Sequence, residues 1–197
     1  MASEPTRERI LSVAWAMARE RRSVDFTLAE VASQAAVSRQ AVYLHFANRA
    51  GLLLEMARTI DHESGFVAAV AAARELPPLH GFERILRLWF EHLGEILPVA
   101  RALEAAAITG ADGAGAYRDR MEAWWETLRI TVAALADASH LRPEWSVEEA
   151  TDWVWARTHP AEYEFLVRQR EWPSAVVTDR TARSVLAEMT TQRKRRG

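Results

Sequence analysis

The stretch TLAEVASQAAVSRQAVYLHF, residues 27–46, decides the fold. It predicts two short helices, and each follows a hydroxyl residue, Thr27 or Ser38, of the kind that caps helix N-termini. Glu30 lies three residues after Thr27, which is the spacing of a capping box. A turn of about three residues, 35–37, joins the two helices. The pattern therefore predicts a helix-turn-helix, whose second helix enters the major groove of DNA.

The second helix of this motif is predicted to expose its polar side chains. Val42 and Phe46 recur at helical spacing and take the buried positions. Arg39 and Gln40 are then free to face the groove. Arginine can bond O6 and N7 of guanine, and glutamine can bond N6 and N7 of adenine. These two residues are the candidates for reading bases.

Contacts to the DNA backbone are expected at the helix N-termini. The N–H groups that follow Thr27 and Ser38 suit phosphate oxygens. Arg49 stands in the first turn of the next helix, which begins at the cap Asn48. A positive charge there is unfavourable for the helix dipole unless an anion lies beside it, so we expect a DNA phosphate near Arg49.

The charge distribution agrees with DNA contact at one end of the chain. The 197 residues carry a net charge of −2, but residues 1–60 contain eight arginines and six acids, a balance of +2. The chain has no cysteine, which excludes disulfides and thiolate metal sites. It shows no signal peptide and no stretch of 18 apolar residues, so we expect a cytoplasmic protein without a membrane contact.

Helical patterns run through the whole sequence, and no strand pattern interrupts them. The first helix is predicted over 6–22, and a long helix from Asn48 to 74–76 ends before Pro77 and Pro78. Further helices are predicted over 79–96, 99–109, 116–138, 147–157, from Pro160 to about 171, and over 173–194. Pro98 is expected to separate the first and second of these.

The motif F-T-L-A-E-V-A-x-x-A-x-V-S-x-x-x-V-Y-x-H-F-x-N-R-x-x-L-L, from Phe26 to Leu53, resembles the DNA-binding domain of the TetR family. Together with ILSVAWAMARERR at residues 10–22, the resemblance covers about residues 6–56. It implies that Arg39, Gln40 and Ala41 face bases. It also implies phosphate or backbone contacts for Leu28, Tyr43, His45 and Arg49.

One position of the motif departs from the family pattern. Ala36 stands where the family usually has glycine in the turn. If this position needs a positive φ, alanine costs about 1 kcal/mol relative to glycine. We expect the fold to survive this cost.

The resemblance also implies the architecture of the whole chain. It predicts an all-α protein of about ten helices, with a three-helix DNA-binding domain over 1–56 and a helical-bundle ligand-binding and dimerisation domain over 57–197. The expected partners are double-stranded operator DNA of near-palindromic sequence, a second copy of the chain and a small-molecule effector. The expected activity is repression, released by the effector.

The later helices carry apolar bands too wide for a single packing seam, and the C-terminal part of the chain holds seven of the eight tryptophans. Such bands form a solid core or line a cavity. The resemblance favours a cavity for an apolar or aromatic effector, and the polar residue expected in it is Glu104. The candidate lining is Leu86, Trp89, Phe90, Leu93, Glu104, Met121, Trp124, Trp125, Leu128 and Trp153.

The last helix is expected to take part in the dimer interface. In the family, this helix and the one over 147–157 form a four-helix bundle with their copies in the partner. The candidate interface residues recur at helical spacing and are Val177, Thr181, Val185, Leu186 and Met189. Packing of the same residues within one chain remains an alternative.

The sequence leaves two alternative functions. An enzyme is disfavoured because the sequence has no H-E-x-x-H, G-x-S-x-G, P-loop or G-x-G-x-x-G motif, so no catalytic residue, metal ligand or cofactor is predicted. The second alternative is a helix-turn-helix regulator whose C-terminal domain binds a protein partner and has no small-molecule effector. A pocket already filled by side chains would favour it.

Overall fold

A computed structural model describes residues 4–109 and 114–191 of the chain. Within these residues the fold is all-α, as predicted, and its only extended pairing is the isolated bridge between Leu141 and Thr190. A π-helical turn, Phe165–Gln169, follows the ninth helix. The helices are α1 Glu4–Arg21, α2 Leu28–Gln34, α3 Arg39–His45, α4 Arg49–Glu63, α5 Phe66–Arg74, α6 Pro78–Thr109, α7 Ala114–Asp137, α8 Val147–Arg157, α9 Pro160–Glu164 and α10 Ser174–Met189.

The described residues form two compact units. The first unit holds residues 4–64, 95–109 and 114–119, and the second holds 65–94 and 120–191. Each unit therefore takes one part of α6 and one part of α7. The predicted boundary between residues 56 and 57 stays a prediction.

The single long helix predicted from Asn48 to 74–76 is wrong. The structure has two helices there, because α4 ends at Glu63 and α5 begins at Phe66. Gly65 between them has φ +68°, in the left-handed region that glycine adopts without a Cβ penalty. A right-handed helix cannot continue through that conformation, so the helix ends before Gly65 and a new one begins after it.

The predicted break at Pro98 is also wrong, because α6 continues through this residue to Thr109. A proline inside a helix removes one hydrogen bond and costs about 3 kcal/mol. Leu97, Val99 and Leu103 are buried around it, and their burial offsets that cost. Residues 110–113, between the helices predicted over 99–109 and 116–138, and the end of the helix predicted to reach 194 lie outside the described residues.

The first unit is held by contacts between α1 and α4. The indole Nε1 of Trp15 donates to the carbonyl of Met56 at 3.0 Å. Arg7 forms an ion pair with Glu55, and its guanidinium lies 5.9 Å from the ring centroid of Phe46. These contacts fix the helix-turn-helix on α1 and α4. The apolar core that α1 to α4 share includes Ile10, Met17, Val31, Val42, Phe46, Leu52 and Met56.

In the second unit, α10 ends against the loop that precedes α8. Arg142 donates from Nε to the carbonyl of Thr190 at 3.0 Å and from NH2 to that of Ala187 at 2.8 Å. The last carbonyls of a helix lack partners within it, and a cation there is also favourable for the helix dipole. Arg142 therefore acts as a C-terminal cap for α10.

Candidate nucleic-acid interface

A complete capping box starts α2, as the sequence predicts. The N–H of Glu30 donates to Oγ1 of Thr27 at 3.2 Å, and the N–H of Thr27 donates to the Glu30 carboxylate at 2.7 Å. Arg21, at the end of α1, reaches the same carboxylate at 3.1 Å. The hydrogen bonds from Thr27, aided by Arg21, lower the pKa of Glu30 below its ordinary 4.5. The box thus ties the start of α2 to α1.

The turn between α2 and α3 has the geometry of a Schellman motif. The N–H of Val37 donates to the carbonyl of Ala32 at 3.0 Å, and the N–H of Ala36 donates to that of Ser33 at 3.2 Å. Ala36 has φ +51°, so this turn position does require the left-handed conformation. The alanine therefore carries the strain that the sequence suggested, and the fold accommodates it.

Ser38 caps α3, as predicted, and the N–H of Ala41 donates to its Oγ at 3.1 Å. Val42 is buried within α3, and Phe46 is buried just after its end. These two side chains anchor the helix on one side only. The opposite side of α3 is left for solvent or for a partner.

The exposed side of α3 carries the residues predicted to meet DNA. Ser38, Arg39 and Gln40 are exposed, Tyr43 is 57% exposed, and Ala41 and His45 are partly exposed. This surface therefore presents the guanidinium of Arg39, the amide of Gln40 and the phenol of Tyr43. Such groups bond base edges and phosphates in a major groove.

Leu44 belongs to the same surface, although the motif does not single it out. Its side chain is 69% exposed. The signal available in the sequence is its position four residues after Gln40, which places both on one face of the helix. It adds an apolar group to an otherwise polar surface.

Two predicted backbone contacts have more restricted geometry. The Leu28 side chain is buried, so only its backbone can approach a phosphate. Arg49 donates from NH2 to the carbonyl of Val24 at 2.6 Å and from Nε to that of Phe26 at 3.3 Å. Arg49 therefore holds the segment between α1 and α2. Its contact with phosphate stays a prediction.

In the second unit, two of the predicted pocket residues stack on each other. The rings of Trp89 and Trp124 are parallel within 10°, with centroids 4.2 Å apart. The indole of Trp89 donates to the carbonyl of Thr158 at 2.8 Å, and that of Trp124 donates to the Thr158 hydroxyl at 3.0 Å. All three residues are buried. The stack satisfies both indoles within the protein.

Two other predicted pocket residues lie nearer the surface of the second unit. Trp125 donates to the Asp152 carboxylate at 2.7 Å, and Trp153 donates to that of Glu188 at 2.8 Å. Trp153 is also 39% exposed. Neither tryptophan stacks in the Trp89–Trp124 pair. The remaining apolar candidates, Leu86, Phe90, Leu93, Met121 and Leu128, are buried, and their role as a ligand lining stays a prediction.

Glu104, the polar candidate for the pocket, belongs to the first unit. There it forms an ion pair with Arg101, one turn earlier in α6. Burial, with a smaller contribution from the Glu104 charge, raises the pKa of Tyr117 in α7 to about 12. Tyr117 is therefore a neutral phenol at any physiological pH. A ligand contact by Glu104 stays a prediction.

Three of the five residues predicted for the dimer interface are already buried within the chain. Val177, Val185 and Met189 are at most 2% exposed. This burial is what the intrachain alternative predicts for them. Thr181 and Leu186 are only partly buried and remain available to a partner. The interface itself stays a prediction.

The geometry of α2, α3 and their turn is that of a helix-turn-helix DNA-binding domain, as found in transcription regulators. Residues 10–56 match the family described as "Bacterial regulatory proteins, tetR family". This part of the chain is therefore similar to the DNA-binding domain of the TetR family of transcription regulators.

Solved structures share the fold over nearly the whole chain. A transcriptional regulator from Saccharomonospora viridis in complex with choline has a TM-score of 0.77 and 16% identity, over 96% of this chain and 100% of that one. A TetR-family regulator from Rhodococcus sp. has a TM-score of 0.72 and 15% identity, over 95% and 100%. The ketosteroid regulator KstR2 of Mycobacterium tuberculosis has 0.63 and 17%, over 94% and 95%. No curated protein sequence matches the chain.

The described residues contain no helix long and apolar enough to cross a membrane. Over the same part of the chain, no three side chains of the histidine, cysteine, aspartate or glutamate type are grouped to hold a metal ion.

Proposed function

We propose that the protein is a ligand-responsive repressor that binds a near-palindromic operator as a homodimer, and that a small apolar or aromatic molecule releases it. The match of residues 10–56 to the TetR family model supports the coarser part of this proposal, a regulator with a helix-turn-helix DNA-binding domain. The operator, the dimer and the effector are the new parts of the proposal. The observation that carries it is the exposed polar surface of α3, anchored from behind by Val42 and Phe46.

The direct test of DNA binding uses the full chain and a library of random duplexes. Repeated selection should enrich a two-fold symmetric sequence whose half-sites lie one helical turn apart, about 34–36 Å. Fluorescence anisotropy on the enriched duplex then compares wild type with Arg39→Ala. The substitution should relax base preference at one position of each half-site and cost about 1–3 kcal/mol.

Ile108→Ala is the matched control for this test. Ile108 is 79% exposed in the first unit but lies on α6, outside the helix-turn-helix. Its affinity for the enriched duplex should equal that of wild type. Failure to enrich any duplex at low salt, where phosphate contacts are strongest, would reject the operator proposal.

The dimer is proposed to use the exposed sides of α8 and α10. α8 exposes Glu148 and Asp152, whereas α10 exposes Arg180 and Arg183. In a two-fold interface the same patch meets its own copy, so an acidic α8 can face the partner's basic α10. Trp153, at the surface of α8, adds an apolar side chain of the kind that is enriched in protein interfaces.

Charge reversal tests this interface by sedimentation. The Arg180→Glu/Arg183→Glu variant should raise the dimer dissociation constant at least tenfold. Adding Glu148→Arg and Asp152→Arg should restore the dimer, because the charges become complementary again. A reversed variant that stays dimeric with the wild-type constant would contradict the proposed faces.

The effector is proposed to act through the second unit, where the aromatic residues are concentrated. One similar structure is a ketosteroid regulator and another is a complex with choline, two molecules that are chemically unlike each other. The proposed effector class therefore rests on this chain's own apolar side chains. Ligand binding there should quench tryptophan fluorescence and weaken operator binding about 5–150-fold, the range of a 1–3 kcal/mol coupling.

A panel of flat apolar, aromatic and alkylammonium compounds tests the effector proposal. Each compound is scored first for tryptophan quenching and then for release of the enriched duplex. One compound that does both supports the proposal. Compounds that bind without changing operator affinity would remove the regulatory part.

A second candidate function is a regulator whose C-terminal domain binds a protein partner. The Trp89–Trp124 stack favours it, because rings 4.2 Å apart leave no room for a third ring between them. Both indole N–H groups are also already bonded to Thr158. Unaltered thermal stability with every small molecule of the panel would favour this candidate.

A further inference from the structure

The exposed surface of α3 contains one side chain that polar recognition does not use. Among the large apolar side chains described in α1 to α4, Leu44 is the most exposed, at 69%. Leucine has no hydrogen-bonding group, so Leu44 cannot bond a phosphate or a polar base edge. Its surface gains free energy only where another apolar group removes water from it.

Leu44 lies on the same face of α3 as Gln40. Leu44 is four positions after Gln40, which corresponds to about one helical turn and about 6 Å along the helix axis. Base pairs are stacked about 3.4 Å apart. If Gln40 reaches a base, Leu44 is therefore within about two base pairs of it.

We propose that Leu44 contacts the C5 methyl group of a thymine within about two base pairs of the base read by Gln40. In the major groove, thymine is the one base of ordinary DNA that presents an apolar group, and the other groove positions are hydrogen-bond donors or acceptors. The proposal rests on the proposed function, because it requires α3 to lie in the major groove. It makes Leu44 a specificity-determining residue of the operator complex.

The size of the effect follows from the burial of one methyl group. Covering a single methyl or methylene group contributes about 0.8 kcal/mol, which is about fourfold in affinity. A symmetric operator has two half-sites, so removing both methyl groups should weaken binding by about tenfold or somewhat more. An effect of this size is resolved readily by anisotropy.

The experiment removes the methyl group and nothing else. Each thymine of the selected duplex is replaced in turn by deoxyuridine, which keeps every hydrogen-bonding group. Wild type should lose about fourfold at one thymine in each half-site, near the position that Gln40→Ala relaxes. Leu44→Ala should bind the thymine and uracil duplexes equally at that position, because it has lost the contact.

Ile108→Ala serves again as the control and should keep the thymine preference. Circular dichroism should show that Leu44→Ala keeps its fold, since truncating an exposed side chain changes stability by about 0.5 kcal/mol or less. A wild type that ignores every uracil substitution overturns the inference and leaves the operator proposal standing. So does a Leu44→Ala variant that still prefers thymine, since Ala41 would then be the residue in contact. Failure to enrich any duplex overturns both proposals.

Discussion

The helix-turn-helix exposes large side chains, whereas the second unit buries them in the Trp89–Trp124 stack. On α3, Tyr43 and Leu44 are held at the surface by a helix whose buried side is filled by Val42 and Phe46. In the second unit, Trp89 and Trp124 are buried against each other and bonded to Thr158. The exposed side chains of α3 can contact a partner, whereas the buried tryptophans of the second unit stabilise the fold.

The largest expected effect would come from Trp124→Ala in the second unit. If Trp124 is core, the variant loses buried area, the stack and a hydrogen bond, and unfolding in urea should show a loss of about 3–5 kcal/mol. Trp172→Ala, at a position that is 39% exposed, is the control and should lose about 1 kcal/mol. A Trp124→Ala loss as small as the control's would mean that this ring faces an open cavity, which would break the comparison.

Arg49 offers the next largest effect, because it has both a structural bond set and a predicted DNA contact. Arg49→Ala removes two hydrogen bonds to the carbonyls of Val24 and Phe26 and should cost about 1–2 kcal/mol of stability. If Arg49 also meets a phosphate, the salt dependence of operator binding should flatten by about one charge for all sequences alike.

Arg58→Ala is the matched control for Arg49. Its guanidinium is exposed and pairs with Glu55 in the same helix, so its loss should change stability by about 0.5 kcal/mol or less. An unchanged salt slope for the folded Arg49→Ala variant would show that Arg49 acts only through the segment between α1 and α2.

A smaller effect is expected at the turn. Ala36→Gly relieves a left-handed alanine but adds freedom to the unfolded chain, so it should stabilise the protein by about 0.5–1 kcal/mol. Ala29→Gly, inside α2, is the control and should destabilise by about 1 kcal/mol. Equal losses in both variants would mean that the left-handed conformation of Ala36 carries no strain.

Sequence alone predicted the features of the fold that depend on neighbouring residues. The caps at Thr27 and Ser38 are both confirmed, because an N-cap involves only residues within one turn. The positive φ of Ala36 was suggested instead by the family resemblance, because the family usually has glycine at this turn position. The predictions of a continuous helix through Gly65 and of a helix break at Pro98 were wrong, because local propensity alone did not decide either position. One glycine ended a periodic helix, and burial around one proline kept another helix intact.

The sequence could not separate a core from a pocket or from an interface. All three use apolar residues at helical spacing, so the pattern of Val177, Val185 and Met189 fitted a partner chain as well as it fitted this chain. Only the packing of α10 within the second unit shows that these side chains are buried without a partner. The same ambiguity applies to Trp89 and Trp124. Burial on several sides is a property of the assembled fold, which periodicity along one helix does not contain.

A second capping box, formed by Ser146 and Glu149 at the start of α8, allows the finest comparison between the units. Glu30 and Glu149 accept the same hydrogen bonds from a hydroxyl and a backbone N–H, and these bonds lower the pKa of both carboxyl groups below 4.5. Because the pKa is lower in the folded protein, the charged carboxylate stabilises the fold at any pH above its ordinary pKa. This contribution is then lost as the pH falls through the lowered value. Glu30→Gln and Glu149→Gln should each remove part of the acid sensitivity of unfolding.

Arg21 makes the two boxes unequal, because it bonds Glu30, whereas it is the hydrogen bonds from Ser146 that lower the pKa of Glu149. Arg21→Ala should therefore raise the pKa of Glu30 and leave that of Glu149 unchanged, as measured by NMR titration of the side-chain carboxyl groups. Parallel shifts of both groups would indicate a change in the whole protein and not in the link from α1 to α2. No shift at Glu30 would show that the hydrogen bonds from Thr27 alone set its pKa. In either case Arg21 would have no specific part in holding the helix-turn-helix.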